Sequence, residues 1–173
     1  MSESLLISAI GEDRPGIVKQ ISRFILDRNG NITDSRMAVL GGEFAIILLV
    51  EGDVQSIAKV EEGINEQSLA GLLIQTKRTK PTEKQSTRYY SLKVVSMDHP
   101  GIVHNVTEFL SGYGANIVNL ETATYAAALT GTTMFSLELL LEFPSNCDFT
   151  KFEKALNDTS EHLNIDIELN IEE

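Results

Sequence analysis

The chain has 173 residues, 42% of them hydrophobic and 23% charged, which is the composition of an ordinary soluble globular protein. The 14 Lys and Arg residues stand against 25 Asp and Glu, giving a formal net charge of −11. Direct nucleic-acid binding, which depends on neutralising phosphates, is therefore not expected. The only cysteine is Cys147, so no intrachain disulfide can form. Neither a signal peptide nor an apolar run of membrane-spanning length is evident, and the sequence predicts a cytoplasmic protein with no membrane partner.

The segment Asp-x-Pro-Gly-Ile-Val begins at Asp13 and again at Asp98, a shift of 98 − 13 = 85 residues. The match continues without insertion as far as the Asn-Ile pairs that begin at Asn31 and Asn116. A chain of this length with such a repeat is predicted to hold two copies of one small domain. A domain that small buries only about 60–65% of its unfolded surface, so we expect the copies to share an interface and pack as a pseudo-dimer. The predicted boundaries are 1–79 for the first module, 80–87 for a linker and 88–173 for the second module.

The first copy is predicted to run in the order strand, helix, strand, strand, helix, strand. Pro15 suits the first position of a helix, because its missing N–H would have no intrahelical partner there, and the Asn-Gly pair at 29–30 is expected to end that helix. The Gly-Gly pair at 41–42 predicts a tight hairpin, and Asp53 predicts the N-cap of the second helix. The predicted elements are a strand at 5–11, a helix from Pro15, strands at 31–40 and 43–51, a helix to about Leu69 and a strand at 72–79.

The second copy repeats this order, with a helix at about 101–112, strands at about 115–125 and 132–142, and a last strand at 165–171. It differs by an insertion of about six residues near 125–131, an apolar hairpin tip that either covers a site or partner or is simply a longer hairpin. Helices on one face of an antiparallel sheet in this order define the ferredoxin-like arrangement. The sequence therefore predicts the α+β class, as two βαββαβ modules.

The third strand of the first copy, at 44–50, is apolar on both faces. In a sheet with helices on one side only, one of its two apolar rows would stay uncovered. We therefore expect that row to be covered by the other copy, by a second chain or by a regulatory partner.

The repeated turn carries the groups that could bind a ligand. Gly16 and Gly101 are expected in the first helical turn, where glycine is unfavourable, so a side chain there would obstruct an approaching group. On this interpretation the helix itself would tolerate alanine. Helix N-terminal N–H groups suit a carboxylate, Asp13 and Asp98 could take an ammonium, and the Asn residues that begin the second strands supply both donors and acceptors. Together these groups suit a small amino acid. Alternatively, the same residues serve only turn geometry and close packing.

These residues resemble the ACT domain, a ferredoxin-like module that senses amino acids. A tandem pair with no enzyme attached is similar to the glycine cleavage system transcriptional repressor family. That resemblance implies a response to glycine and contact with a LysR-type transcriptional activator protein rather than with DNA. It also implies ligands held between two modules, with the turn of one and the second-strand start of the other lining each site. Carried over, one candidate site comprises Arg14, Pro15, Gly16 and Ile17 with Asn116 and Ile117. The other comprises His99, Pro100, Gly101 and Ile102 with Asn31 and Ile32.

No catalytic, metal-binding or cofactor-binding set is evident. The three histidines lack metal-ligand spacing, Cys147 has no evident base, and no phosphate-binding glycine loop is present. An enzyme is therefore not expected. The alternatives left open are a ligand-free ACT interaction module, or a regulatory subunit of a metabolic enzyme. A homo-oligomer is compatible with either.

Overall fold

The computed structural model describes residues 2–66, 69, 71–80 and 88–172. The chain divides into two compact units, Met1–Glu83 and Lys84–Glu173, which we call module 1 and module 2. Apart from Lys80, the predicted linker at 80–87 lies outside the described residues.

Module 1 is a four-stranded antiparallel sheet with two helices. Its strand order is β2-β3-β1-β4, with every neighbouring pair antiparallel, so the predicted βαββαβ ferredoxin-like arrangement is confirmed. Its elements are β1 (Ser2–Glu12), α1 (Ile17–Leu26), β2 (Asn31–Leu40), β3 (Glu43–Asp53), α2 (Val54–Glu66) and β4 (Leu73–Thr79).

Module 2 repeats the topology with strand order β6-β7-β5-β8. Both modules have an irregularity in the second strand, between Ile32 and Asp34 and between Ile117 and Asn119, 85 positions apart. The duplication seen in the sequence therefore extends to the local backbone irregularity of the second strand. The elements of module 2 are β5 (Tyr89–Met97), α3 (Ile102–Gly112), β6 (Asn116–Ala126), β7 (Thr133–Glu142), α4 (Phe149–Leu163) and β8 (Asp166–Glu172).

Each module has its own core between the helices and one face of its sheet. In module 1 the buried row of β3 is Phe44, Ile46, Leu48 and Val50, and it packs with apolar residues of β1, α1 and α2. In module 2 the core is richer in aromatic rings, with Phe152 fully buried at its centre. No helix in the described ranges is long and apolar enough to cross a membrane.

The first helix of each module begins later than the sequence predicted. α1 begins at Ile17, so Pro15 lies in the turn before the helix, and Gly16 is the N-cap with φ +91° rather than a first-turn residue. Gly101 likewise precedes α3 with φ +100°. These left-handed conformations suit glycine because it has no Cβ, and no pattern of apolar spacing reveals them.

Other element boundaries differ as well, most of all the following three. β1 begins at Ser2, because its polar first residues continue the pairing with β3. α1 ends at Leu26, and Asn29 rather than Gly30 takes the left-handed conformation of the turn that follows. α2 ends at Glu66, and Leu69 is not helical. The hairpin turn at 41–42 is as predicted, with both glycines at positive φ.

The insertion in module 2 is a longer hairpin between β6 and β7. Its tip is closed by a hydrogen bond from the Ala127 N–H to the Thr132 carbonyl, and by one from the Gly131 N–H to the Ala127 carbonyl. Leu129, at the tip, is 99% exposed.

Candidate functional site

Each Asp-x-Pro-Gly turn connects the end of the module's first strand to its first helix. The Asp13 N–H donates to the Gly42 carbonyl at 3.0 Å, and the Asp98 N–H donates to the Thr133 carbonyl at the same distance. The two turns are thus anchored in the same way to the hairpin between the next two strands. The carboxylates of both aspartates are exposed.

Neither glycine N-cap supplies a side-chain cap to its helix. The Gly16 carbonyl accepts from the Gln20 N–H at 2.9 Å, and the Gly101 carbonyl accepts from the Asn105 N–H at 2.9 Å, so each helix starts regularly. The first N–H groups of a helix have no intrahelical acceptor, and they carry the positive end of the helix dipole. Both turns therefore offer backbone donors that suit a carboxylate.

The isoleucines of the motif are core residues. Ile17 is 2% exposed and Ile102 is 3% exposed, and each packs within its module's apolar cluster. Of these two predicted site residues, only the backbone N–H groups could reach a ligand. Ile32 and Ile117 are half-buried against the same clusters. Pro15 and Pro100 are exposed in the turns.

The asparagines lie at the opposite end of each sheet from the glycine turn. Asn31 pairs with Glu51, which pairs with Ser4, whereas the turn follows the other end of β1. At about 3.3 Å per residue, the path along β1 from Ser4 to Asp13 spans about 30 Å. One module therefore does not bring the glycine turn and the asparagine together. The Asn116 amide also donates to a Glu142 carboxylate oxygen at 3.3 Å.

The residues that distinguish the two turns make different local contacts. The Arg14 guanidinium donates to the Gln20 side-chain oxygen at 3.0 Å, so it is turned toward α1. His99 Nδ1 lies 3.1 Å from the Pro100 carbonyl, which makes it a donor in the tautomer with the proton on that nitrogen. A ligand would thus meet a permanent cation beside one turn and an imidazole beside the other.

In the part of the chain that the structure describes, the other titratable groups form no evident reactive set. Burial raises the pKa of the Cys147 thiol, and the Asp148 carboxylate raises it further, so the thiol stays protonated at neutral pH. His104 lies 3.9 Å from Glu108, and both are exposed. Within the described ranges, no three His, Cys, Asp or Glu side chains are grouped so that they could hold a metal ion.

Module 2 also has an open groove that the sequence did not indicate. The groove lies between α3 and α4 on the helical side of the sheet. It is separate from the glycine turn except at Asn105, whose N–H donates to the Gly101 carbonyl. No motif signalled it, because its lining comes from two helices that are distant in the chain. The lining residues are Asn105, Glu108, Phe109, Asp158, Thr159, His162 and Leu163.

Comparisons with known proteins agree with this fold and with its duplicated turn. The family model of the ACT domain matches residues 3–78 and 92–170. The glycine cleavage system transcriptional repressor of Escherichia coli (strain K12) is 29% identical over 170 residues, which cover 96% of this chain and 89% of that protein. A crystal structure of an unknown protein from Galdieria sulphuraria has a TM-score of 0.86 at 35% identity, with 100% of both chains covered. A protein provisionally named a glycine cleavage system transcriptional repressor has a TM-score of 0.73 at 26% identity, with 100% of this chain and 99% of that chain covered.

The fold and the matched residues define a tandem pair of ferredoxin-like modules. The chain belongs to the ACT domain family and carries the domain twice. The predicted resemblance is confirmed.

Proposed function

We propose that this chain is a cytoplasmic, non-catalytic regulator of the glycine cleavage system that responds to a small amino acid, glycine first. It acts through contact with a LysR-type transcriptional activator protein rather than with DNA. The observation that carries the proposal is a helix N-terminus with a left-handed glycine as N-cap and no side-chain cap, present once in each module. The similarity of nearly the whole chain to a repressor of that system supports it.

The chemistry of the turns favours an amino acid as the effector. The backbone donors of α1 and α3 suit its carboxylate, and the exposed Asp13 and Asp98 carboxylates suit its ammonium. The buried Ile17 and Ile102 side chains leave only backbone contacts close to the helix start, which favours a ligand with a small side chain.

A turn and an asparagine can contact the same ligand only if they belong to different modules. The two groups are about 30 Å apart along one sheet, which is longer than any small amino acid. The proposed sites therefore combine the turn of one module with Asn31 or Asn116 of another. A module that acts alone would bind through its turn only.

A thermal-shift screen against the twenty amino acids tests the ligand. Binding to the native state alone stabilises by about 2.7 kcal/mol at a hundredfold excess over Kd, which gives a clear rise in Tm. We expect glycine or another small amino acid to raise Tm, with Kd then measured by calorimetry. Absence of any response at millimolar concentrations would favour the ligand-free interaction module.

Asp13→Asn and Asp98→Asn test the site without altering the left-handed glycines. Each variant removes an exposed carboxylate while keeping the side-chain shape, so ligand affinity should fall about tenfold and the melting temperature without ligand should hardly change. Asp158→Asn, which makes the same charge change on α4, is the matched control and should bind as wild type does. Equal affinity in all four proteins would remove the turns from the site.

The regulatory partner needs its own measurement. The purified LysR-type activator, immobilised on a sensor, should bind the full chain, and the proposed amino acid should change its dissociation constant. By linkage, the activator should change the affinity for the amino acid by the same factor. No binding in either condition would favour a regulatory subunit of a metabolic enzyme, for which the same sensor assay can be repeated.

A further inference from the structure

Both helices of each module pack on one face of its sheet and leave the other face open. The residues on this open face differ between the two modules. In module 1 it is largely apolar, with Ile10 49% exposed, Ile47 51% exposed and Leu73 69% exposed. Its two basic residues are Arg36 and Lys77. We define open face 1 as three cross-strand rows: Ala38, Ala45, Ile10 and Leu73; Arg36, Ile47, Ser8 and Gln75; and Asp34, Leu49, Leu6 and Lys77.

In module 2 the equivalent face is acidic along its central row. The central row crosses four strands with three glutamates and Lys93, whose ammonium lies 3.0 Å from Glu138. One lysine does not neutralise the row. We define open face 2 as Ala123, Ser136, Val95 and Asp166; Glu121, Glu138, Lys93 and Glu168; and Asn119, Leu140, Ser91 and Asn170.

The two faces are complementary in charge. Open face 1 carries two cations and one anion, whereas open face 2 carries four anions and one cation. Arg36 forms an ion pair with Asp34 of the same face at 2.7 Å, yet its side chain remains 76% exposed. Arg36 lies in the central row, which is equivalent to the row of Glu138, whose side chain is 60% exposed. Each face also has an apolar residue near its centre, Ile47 of β3 in open face 1 and Leu140 of β7 in open face 2. Glu12 and Glu43 lie one row beyond open face 1 at one rim, and Glu51 lies one row beyond it at the other.

We propose that open face 1 of one copy packs on open face 2 of a second copy of the chain. Open face 2 paired with itself would bring four carboxylates toward four others, and open face 1 paired with itself would gain no charge attraction, because both copies carry an excess of cations there. The contact is therefore heterologous, with Arg36 and Lys77 opposite the glutamate row and Ile47 at the apolar centre.

The size of the faces fits a contact of this kind. Four strands about 4.8 Å apart, over about seven paired residues, make a face of roughly 440 Å². Two such faces pack about 10 Å apart and together bury about 900 Å², the size of a weak, transient interface. The resulting association is weak and reversible, and it covers the second apolar row of β3.

Sedimentation velocity on the full chain, over micromolar to submillimolar concentrations, tests the proposal. We expect the mean mass of wild type to rise with concentration. Arg36→Glu alone and Glu138→Arg alone should each weaken association about tenfold or more, because each places like charges opposite one another. An equimolar mixture of the two variants should associate as wild type does, because each reversed face then meets its complement on the other chain.

Ile47→Thr tests the apolar centre and keeps a β-branched side chain in the strand. It should weaken association, while Leu26→Gln, at an exposed position on α1, should not. Melting curves check that every variant is folded. A wild type that stays monomeric throughout, a mixture that fails to restore association, or an Ile47→Thr protein that associates as wild type does would each overturn the proposal.

Discussion

At the scale of single residues, backbone conformation rather than lack of room accounts for the two motif glycines. A Cβ built on Gly16 would meet no atom within 4 Å, and one on Gly101 would meet only the Asn105 side chain at 3.8 Å. Both φ angles, +91° and +100°, lie where L side chains are strained. The expectation that alanine would be tolerated is therefore wrong, because it assumed helical φ for residues that precede the helix.

Gly16→Ala and Gly101→Ala should each lower the free energy of unfolding by about 1–2 kcal/mol, the usual cost of a left-handed L residue. Gly112→Ala is the matched control, since that glycine lies in α3 with open space around its Cβ, and it should raise stability by up to about 1 kcal/mol. Urea unfolding measures all three. A Gly16→Ala protein as stable as wild type would contradict the assigned conformation.

The candidate site was only partly predictable at this scale. The motif indicated which residues form each turn, because Pro and Gly restrict a backbone in known ways. The sequence could not show that Ile17 and Ile102 turn their side chains into the core. It also could not show that Asn31 lies about 30 Å from the turn, since proximity in the chain says little about which end of a sheet a residue occupies.

At the scale of elements, aspartates cap the second helix of both modules. The Ser56 N–H donates to Asp53 Oδ1 at 2.7 Å at the start of α2, and the Lys151 N–H donates to Asp148 at 3.2 Å at the start of α4. The backbone hydrogen bond from Ser56 holds the pKa of Asp53 below its ordinary value, and that from Lys151 does the same for Asp148. The sequence predicted the first cap and missed the second.

A depressed folded-state pKa means that the Asp53 carboxylate stabilises the fold above its unfolded-state pKa, and that this contribution is lost as the pH falls through the folded-state value. Asp53→Asn keeps an N-cap acceptor but cannot titrate. We expect its melting temperature to fall less than that of wild type on acidification, whereas Asp53→Ala should be less stable even at neutral pH. Calorimetry from neutral pH to pH about 3 tests both. Parallel wild-type and Asn profiles would contradict the prediction.

The aromatic core of module 2 depends on Phe152 of α4. Its ring is fully buried and contacts four others, with centroids 4.7 Å from Phe143 and 5.3 Å from Tyr113. Phe152→Ala should cost about 3–5 kcal/mol, because the space cannot collapse among rigid rings. Phe149→Ala, at a half-buried position of the same helix, should cost clearly less. Denaturant unfolding followed by tyrosine fluorescence compares them, and equal losses would contradict this ranking.

The elements themselves were largely predictable, because apolar periods of two and of about 3.6 distinguish strands from helices. Apolar spacing did not predict the bulge at Thr33, where one strand gains a residue, and it did not predict the polar start of β1. Both are fixed by pairing with another strand. The apolar character of β3 on both faces predicted an uncovered row, and Ile47 on that row is 51% exposed in the chain. That the row is covered by another chain stays a prediction.

At the scale of the whole molecule, the two modules share one backbone topology but differ in their surfaces. The topology, the anchored turn and the bulge recur, while the cores differ in aromatic content and the open faces differ in charge. A duplication preserves what the fold needs, namely buried apolar rows and left-handed glycines, and leaves exposed positions free to diverge. Specific function should therefore lie in the differences between the modules, such as Arg14 and His99 beside the two turns.

The charge of the molecule gives the last prediction. Duplex DNA attracts proteins through phosphate neutralisation, and a net charge of −11 opposes the approach. The most basic run of β4 is itself engaged, since Arg78 forms ion pairs with Glu61 at 2.8 Å and with Glu3 at 2.9 Å. We expect no change in the fluorescence anisotropy of labelled operator DNA on adding the purified chain, even at low salt, where such binding is strongest. The LysR-type activator, added to the same DNA, is the positive control. A salt-sensitive rise in anisotropy with the chain alone would show that it reaches DNA without the activator, and would overturn that part of the proposed function.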